Sequence, residues 1–340
     1  MKLGIYLNSQ HPVGDDPARR FDETLEQVRL VRSLGFDSIW AGEHHITPGF
    51  HFFPQLPLLH RLAGEAEGLW IGTNVTLLPL HNPVELAEAG AFLDVITGGK
   101  FLLGVGLGYR PEEYQIYGVP MSERVSRFTE AVEIIRRCGA KTGSRIPGAT
   151  GNLATSPLHR ARSKRRARPS LLARKWTRPS RGRPRSVMAG FRCQHPRSTR
   201  FTRRCRHSSP RGLRQSCRRR SISADCVGCA ADDETAILRS TPFLMEKYKS
   251  YFSWGLEGLT LDPNAAPEQQ FGALASKRFA VGAPASVIDM LVAQHRCGIS
   301  HLSMRVSWPG MGQDEILASI ELLGREVLPV VRRRTAAAGP

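Results

Sequence analysis

Two adjacent histidines are the residues of this sequence best suited to chemistry. His44 and His45 follow Glu43, directly after the short apolar run 37–41. An imidazole titrates near neutral pH, so either ring can accept or release a proton during a reaction. A polar loop with two solvated histidines is the alternative interpretation. The choice between the two depends on where the fold places this cluster.

The elements around the cluster alternate between strand and helix. Short apolar runs at 2–7, 37–41, 69–78 and 100–106 predict four strands, and amphipathic helical patterns follow them. Neighbouring parallel strands need crossover connections of this kind, so the pattern predicts an α/β fold with a parallel sheet. A closed (β/α)8 barrel and an open doubly wound sheet are both compatible with it. In a barrel the strand ends form the catalytic mouth, which favours the functional interpretation of the two histidines.

Composition excludes several classes of protein. The chain has 340 residues, of which 41% are hydrophobic, so it can bury a core and is neither collagen-like nor wholly disordered. Its apolar start is too short for a signal peptide, and no run of about 18 apolar residues is present to span a bilayer. These features predict a cytoplasmic protein without a membrane partner.

Several segments together resemble the bacterial luciferase-like family of flavin-dependent oxidoreductases. The resemblance covers roughly residues 1–138 and 230–332, and both the order and the spacing of the segments match. The segments are WAGEHH at 40–45, LPLHNPV at 78–84, GGKFLLGVGLGY at 98–109, VGAP at 281–284, WPGM at 308–311 and IELLG at 320–324.

The resemblance implies a TIM (β/α)8 barrel that binds a flavin at the carboxyl ends of its strands. It implies that His44 and His45 are catalytic, with His44 as the acid or base beside the flavin. It further implies a non-prolyl cis peptide beside Thr73 and Asn74. The residues expected to bind the cofactor are Glu43, Thr73, Asn74, Gly106, Gly108 and Tyr109.

Some of these residues are equally compatible with a purely structural role. Tight turn geometry accounts for Gly106 and Gly108 as well as close approach to a ligand does. Tyr109 and Arg110 could equally be surface residues. We predict no metal site, because Cys226 and Cys229 have ligand spacing but lack a second pair.

The resemblance implies a monooxygenase that uses reduced FMN and O2 on a small organic substrate. A flavin reductase would supply the reduced FMN, and a homodimer is a further expectation. An oxidoreductase that transfers a hydride to or from the deazaflavin F420 is the alternative. The sequence does not separate these two reactions.

The middle of the chain has a different composition from its flanks. Of the 48 Lys and Arg residues, 25 lie between 141 and 220, and no Asp or Glu occurs between Glu133 and Asp225. We therefore divide the chain into an N-terminal half-barrel at 1–138, a basic segment at 139–229 and a C-terminal part of the barrel at 230–340. The basic segment should hold strands five and six, so we expect the barrel to be disrupted there.

Translation out of frame is our preferred explanation for this segment. Asp and Glu codons all begin with GA, and a G+C-rich gene read one base off yields mainly Arg, Pro, Ser and Cys. A disordered arm that binds nucleic acid is a weaker alternative, because few aromatic residues accompany the basic runs at 162–168 and 218–220. An inactive product is the third possibility.

The frameshift hypothesis is tested by resequencing the gene across codons 138 to 230 and translating all three frames. We expect another frame to restore acidic residues and strand-helix periodicity across this interval. If the printed frame is confirmed and neither alternative frame restores that pattern, the basic segment is genuine and the frameshift hypothesis is wrong.

Overall fold

The computed structural model describes residues 1–139, 188–189, 191–192, 222–253 and 279–337. The strands are β1 (Lys2–Leu7), β2 (Gln10–Pro12), β3 (Ser38–Ala41), β4 (Phe50–Phe52), β5 (Trp70–Thr73), β6 (Thr76–Leu77), β7 (Phe101–Leu102), β8 (Val105–Gly106), β9 (Met188–Ala189), β10 (Phe191–Arg192), β11 (Ile222–Cys229), β12 (Phe279–Gly282) and β13 (His301–Arg305). The α-helices are α1 (Pro17–Ser33), α2 (Gln55–Leu62), α3 (Pro83–Ile96), α4 (Pro111–Ile116), α5 (Arg124–Cys138), α6 (Asp233–Ser253), α7 (Pro284–Arg296), α8 (Gln313–Leu322) and α9 (Leu328–Ala337).

The chain forms two compact units. The first unit comprises Leu7–Arg32 and Ser38–Gly190, and the second comprises Met1–Tyr6, Ser33–Asp37 and Phe191–Pro340. In both units parallel strands alternate with helices, which confirms the predicted α/β class.

The first unit is built on the parallel strands β3, β5 and β7. The ladder pairs Ser38 with Trp70 and Ala41 with Thr73, so β3 and β5 end at the same edge of the sheet. Helix α3 follows the sequence rules closely, because the Asn82 side chain accepts hydrogen bonds from the backbone N–H groups of Val84 and Glu85. Strand β2, which follows β1, pairs with β4, which follows β3, in an antiparallel ribbon. The sequence did not predict this ribbon.

Two predicted strands of the first unit are each interrupted. The run 69–78 forms β5 and β6, and the run 100–106 forms β7 and β8. The hydroxyl of Thr73 donates to the carbonyl of Gly104 (2.8 Å) and accepts from its N–H (2.9 Å). The Thr73 side chain therefore replaces the backbone hydrogen bonds of the sheet where both strands are interrupted. Beyond the interruption the backbones pair again as β6 and β8.

The second unit contains a parallel sheet of β1, β10, β11, β12 and β13. Strand β11 pairs with β13 from Ile222 and with β12 from Cys226. The apolar stripe predicted for the C-terminal helix is buried as expected, although a π-helical turn at Leu323–Val327 separates α8 from α9. The stripe consists of Ile316, Ile320, Leu323 and Val327.

Part of the predicted architecture falls on residues beyond those described. Most of the basic segment 139–229, including the expected disruption around strands five and six, lies outside the described residues. The division of the chain at 138 and 229 therefore stays a prediction. Within the described ranges, no helix is both long enough and apolar enough to cross a membrane.

Replacement of Gly72 by alanine should destabilise the first unit. A Cβ atom there would lie 2.1 Å from Cζ3 of Trp40, a side chain with no exposed surface. Overpacking of this kind costs about 1–3 kcal/mol of the free energy of unfolding. The matched control is Gly64→Ala, because a Cβ at Gly64 would meet nothing within 4 Å. Urea unfolding of the full chain measures both changes, and equal midpoints for the two variants would contradict the packing argument.

Candidate active site

The candidate site lies at the carboxyl ends of β3 and β5 in the first unit. Glu43, His44 and His45 follow the last residue of β3, and Asn74 follows the last residue of β5. The N–H of Asn74 donates to the carbonyl of Ala41 (2.7 Å), which joins the two strand ends. The structure thus brings the polar residues predicted after β3 close to those predicted after β5.

The backbone turns sharply after the two histidines. Ile46 has a φ of 43°, in the left-handed region that β-branched residues rarely adopt, and its side chain is exposed. Strained conformations of this kind persist where the surrounding contacts hold them in place. Here the contacts are those that His44 and His45 make with two buried glutamates.

We name the first group of contacts the Glu113 cluster, formed by Glu113, His44, Arg110 and the backbone of His45. Oε1 of Glu113 accepts from Nδ1 of His44 (3.0 Å), the N–H of His45 (2.9 Å) and Nη1 of Arg110 (3.4 Å). Arg110 also donates to the carbonyl of His45 (3.0 Å). Glu113 and Arg110 are both almost completely buried.

The Glu113 cluster fixes the protonation of His44. Burial alone would raise the pKa of Glu113, but the hydrogen bond and charge of His44, the His45 N–H and the charge of Arg110 together lower it. An ionised carboxylate can only accept, so Nδ1 of His44 carries a proton. In the neutral ring Nε2 then carries the lone pair, which is the arrangement of a general base oriented by a carboxylate.

Aromatic edges surround His44. Its ring lies edge-on to Phe52 at 5.7 Å and to Tyr109 at 6.0 Å between centroids. Phe52 comes from β4 and Tyr109 follows β8, so elements distant in sequence hold the imidazole. The ring is only partly exposed, with 17% of its side-chain surface accessible.

We name the second group the Glu43 cluster, formed by Glu43, His45, His81 and Tyr117. Nε2 of His81 lies 2.9 Å from each carboxylate oxygen of Glu43, and Nε2 of His45 lies 3.4 Å from Oε1. The N–H of Leu77 donates to Oε2 (2.6 Å). On its other side, His45 contacts the hydroxyl of Tyr117 through Nδ1 (2.9 Å).

These contacts keep Glu43 ionised. Burial alone would raise the pKa of Glu43, but hydrogen bonds from His45, His81 and the Leu77 N–H, together with the charge of His81, lower it to about 2. The buried carboxylate therefore holds the imidazoles of His45 and His81 beside each other.

The predicted cofactor residues after β5 occupy different environments. Thr73 is fully buried and its hydroxyl is engaged with Gly104 inside the sheet. Asn74 is also buried, and its Nδ2 has no hydrogen-bond partner among the described residues. The peptide bond between Asn74 and Val75 is cis, as the family resemblance implied for this position.

The glycines after β7 are explained by packing. A Cβ at Gly106 would lie 2.7 Å from Cγ2 of Val75, so the protein itself fills that space. Gly108 has a φ of +75°, which a turn requires and glycine adopts readily. Of the two residues that follow, Tyr109 contacts His44, and Arg110 is buried in the Glu113 cluster rather than exposed.

Sequence reasoning missed Glu113, His81 and Tyr117, and it left the role of Arg110 open. Glu113 lies within the short helix α4, which Arg110 precedes and Tyr117 follows, and His81 follows the 3₁₀ turn Leu78–Leu80. The segment LPLHNPV contains His81 and carried part of the family resemblance, so a signal for this residue was present. Nothing in the local pattern marked Glu113, because its histidine partners are 68 and 69 positions away in sequence.

Comparison with known sequences gives consistent matches. Residues 1–178 match the family model described as luciferase-like monooxygenase. The chain is 32% identical over 138 residues to a 4-hydroxyprotoasukamycin monooxygenase of Streptomyces nodosus subsp. asukaensis, covering 40% of this chain and 37% of that protein. It is 28% identical over 142 residues to the oxygenase component of a flavin-dependent trigonelline monooxygenase of Acinetobacter baylyi. That match covers 40% of this chain and 39% of that protein. The matches thus span less than half of these curated relatives.

Comparison with solved structures identifies the fold. The monooxygenase RslO1 of Streptomyces bottropensis superposes with a TM-score of 0.69 at 20% identity, over 97% of this chain and 99% of that chain. The oxygenating constituent of 3,6-diketocamphane monooxygenase of Pseudomonas putida, in complex with FMN, superposes with a TM-score of 0.68 at 18% identity. The superposition covers 97% of this chain and 98% of that chain. An F420-dependent secondary alcohol dehydrogenase superposes with a TM-score of 0.62 at 15% identity, over 97% of this chain and 99% of that chain.

These similarities confirm the predicted class of fold, a luciferase-like TIM barrel. Because the family model matches more than half of the 340 residues, the chain belongs to the luciferase-like monooxygenase family.

Proposed function

We propose that this protein is a flavin-dependent monooxygenase that uses reduced FMN and O2 to oxidise a small organic substrate. The observation that carries the proposal is the pairing of His44 with the buried, ionised Glu113 at the edge where β3 and β5 end. Active sites of barrel enzymes form at this edge. A histidine oriented in this way can transfer the protons that oxygenation chemistry requires.

The relatives support the type of reaction. Both sequence relatives are named as monooxygenases, and one of them is described as an oxygenase component. That description supports a separate flavin reductase as the source of reduced FMN. Since the chain spans less than half of these relatives, its reaction, its partners and a homodimeric assembly are part of the proposal.

The residues at the strand edge fit such a cofactor. Within the part of the chain that the structure describes, the buried Nδ2 of Asn74 has no partner, and a carbonyl of a bound ligand would satisfy it. Tyr109 and Phe52 provide aromatic surface beside His44. Thr73, Gly106 and Gly108 would act indirectly, by shaping the backbone around this edge. The phosphate site expected near strands five and six falls outside the described residues.

Reduced FMN, when bound, supplies the electrons that activate O2. The chain contributes proton transfer and exclusion of water. Glu113 keeps Nδ1 of His44 protonated and stabilises the imidazolium that forms when Nε2 takes up a proton. Phe52 and Tyr109 shield the ring, which strengthens its electrostatic interactions.

His45 has a different role in this proposal. Its ring lies in the Glu43 cluster, where the ionised carboxylate orients it and the hydroxyl of Tyr117 contacts Nδ1. Because 22% of the His45 side chain is exposed, the ring can exchange a proton with solvent. Its backbone binds both Glu113 and Arg110. The backbone of His45 therefore positions the Glu113 cluster, and its ring serves as a second proton carrier. Glu43 acts by orienting that ring.

An F420-dependent hydride transfer is the second candidate. The fold is shared with an F420-dependent secondary alcohol dehydrogenase, and such a reaction also needs a histidine to manage substrate protons. The two candidates differ in the cofactor that binds to the same strand edge.

The proposal is tested by anaerobic titration of the full chain with reduced FMN and, separately, with reduced F420. We expect saturable binding of reduced FMN and oxygen uptake when a flavin reductase supplies it. Glu113→Gln should lower the turnover number for oxygen uptake by about 100-fold, the usual contribution of a positioned acid or base. Its affinity for reduced FMN should change little, because Glu113 acts on the proton carrier.

The matched control is Glu130→Gln, since Glu130 is an exposed glutamate of α5 and belongs to neither cluster. This variant should keep the activity of the unmodified protein. Selective binding of reduced F420 would favour the hydride-transfer reaction instead. Normal oxygen uptake by Glu113→Gln would show that the pair with His44 does not carry the reaction.

The depressed pKa of Glu43 predicts a loss of stability in acid. Its pKa is about 2 in the folded protein, compared with 4.5 ordinarily, so ionised Glu43 stabilises the fold at all pH values above about 4.5. The contribution is on the order of 3 kcal/mol, and it disappears progressively as the pH falls from about 4.5 towards 2. Glu43→Gln should therefore be less stable than the unmodified protein at neutral pH.

Denaturant unfolding at a series of pH values measures this effect. The difference in free energy of unfolding between the two proteins should shrink as the pH falls through that window. Glu130→Gln again serves as the control and should show no such convergence. A difference that stays constant down to the lower end of the window would disprove the assignment.

A further inference from the structure

The Glu43 cluster contains ligand-type atoms in an arrangement that proton transfer alone does not require. A carboxylate oxygen of Glu43 and one ring nitrogen each from His45 and His81 all lie within 4.8 Å of one another. Two histidines and one carboxylate are a common ligand set for divalent transition metals in proteins. No spacing pattern in the sequence indicates this group, and the sequence-based expectation is that no metal site is present.

The separations between Glu43 and the two histidine nitrogens match those around a metal ion. Nε2 of His81 lies 2.9 Å from Oε1 of Glu43, and Nε2 of His45 lies 3.4 Å from the same oxygen. Ligands bound at about 2.0–2.2 Å, as in zinc sites, are separated from each other by about 3–3.5 Å. An ion could therefore bind with small shifts of the three side chains.

The remaining contacts of the cluster provide the outer support that metal ligands require. Nδ1 of His45 lies 2.9 Å from the hydroxyl of Tyr117, and Oε2 of Glu43 accepts from the N–H of Leu77. A tyrosine hydroxyl can donate or accept, so it can hold His45 in the tautomer whose Nε2 lone pair faces an ion.

The cluster is also accessible and carries the appropriate charge. The side chains of His45 and His81 are 22% and 23% exposed, so an ion and a water molecule can reach them. Arg110, the nearby buried cation, pairs with Glu113. The negative charge of Glu43, whose oxygens face His45 and His81, would attract a cation that replaces the ring N–H groups as its partner.

We propose that Glu43, His45 and His81 form a binding site for one divalent transition-metal ion of the zinc class, with water completing its coordination. Glu113 and His44 are not ligands, so the ion would leave that proton-transfer pair in place. A His45 ring bound to the ion would no longer carry protons, and His44 alone would then do so. The proposal does not depend on the identity of the flavin or on the oxygenation reaction.

The test is titration of the chelator-treated full chain with Zn²⁺ by calorimetry, and with Co²⁺ by visible absorption. We expect one equivalent of Zn²⁺ per chain and the intense d–d absorption of four-coordinate Co²⁺. His81→Asn should weaken Zn²⁺ binding more than about 100-fold, because a three-ligand site loses one of its ligands. Tyr117→Phe should weaken it about 10- to 100-fold, as expected for loss of an outer-sphere partner.

The matched control is His60→Asn. His60 is a partly buried histidine of α2 whose Nδ1 contacts the carbonyl of Leu56, outside the cluster. This variant should bind Zn²⁺ like the unmodified chain, and thermal melts establish that each variant is folded. Tyr117→Phe keeps the test independent of His81, since Tyr117 is 43% exposed and the substitution removes only its hydroxyl.

Absence of Zn²⁺ and Co²⁺ binding by the folded, chelator-treated chain would overturn the proposal. Undiminished binding by both His81→Asn and Tyr117→Phe would overturn it as well, because the ion would then be held elsewhere. Loss of binding in His60→Asn to the same extent as in His81→Asn would point to nonspecific coordination by histidines and would also reject the site.

Discussion

The burial of two ionised carboxylates is the constraint around which the whole site is arranged. Glu43 and Glu113 are both buried, and a buried carboxylate is strongly destabilising unless hydrogen bonds and opposite charges replace its hydration. Each has donors from at least three different residues. The pKa of each is consequently lowered although burial alone would raise it. The loop from Glu43 to His45 must therefore adopt a conformation that satisfies both carboxylates at once.

His45 connects the two clusters. Its ring binds Glu43 and Tyr117, whereas its N–H and carbonyl bind Glu113 and Arg110. Rotation of the His45 peptide would remove a donor from Glu113 and also displace the ring from Glu43. The left-handed turn at Ile46 is tolerated because these contacts oppose its relaxation. The two clusters are thus mechanically coupled, although each has its own carboxylate.

The sequence was most informative where function depends on local pattern. Alternating apolar runs and caps identified β1, β3 and α3, and the polar residues after β3 marked one edge of the site. The interruption of the run 69–78 was not predictable, because it depends on a hydrogen-bond exchange between Thr73 and Gly104, 31 positions apart. The sequence left open whether Gly106 lies close to a ligand or forms a turn; in the structure its missing side chain makes room for Val75.

Glu113 shows why the most important partner was missed. It lies in the six-residue helix α4, which has no apolar stripe long enough to predict, and it is one of three glutamates between 112 and 123. Its burial arises only when the loop after β3 folds against α4. Periodicity reports which face of an element is buried, but it does not report which distant charge that face will meet. A buried charge at an apparently exposed position can be recognised only from its partners.

The location of the clusters along the chain separates two requirements for activity. Every residue of the Glu43 and Glu113 clusters lies between positions 43 and 117, before the basic segment begins. The hydrogen bonds described for both clusters are therefore made within the first unit. The family resemblance, in contrast, implies that part of the flavin phosphate site lies near strands five and six, which are expected within 139–229. A corrected reading frame for that segment would thus change the residues expected to anchor the cofactor and leave unchanged those that hold and transfer protons.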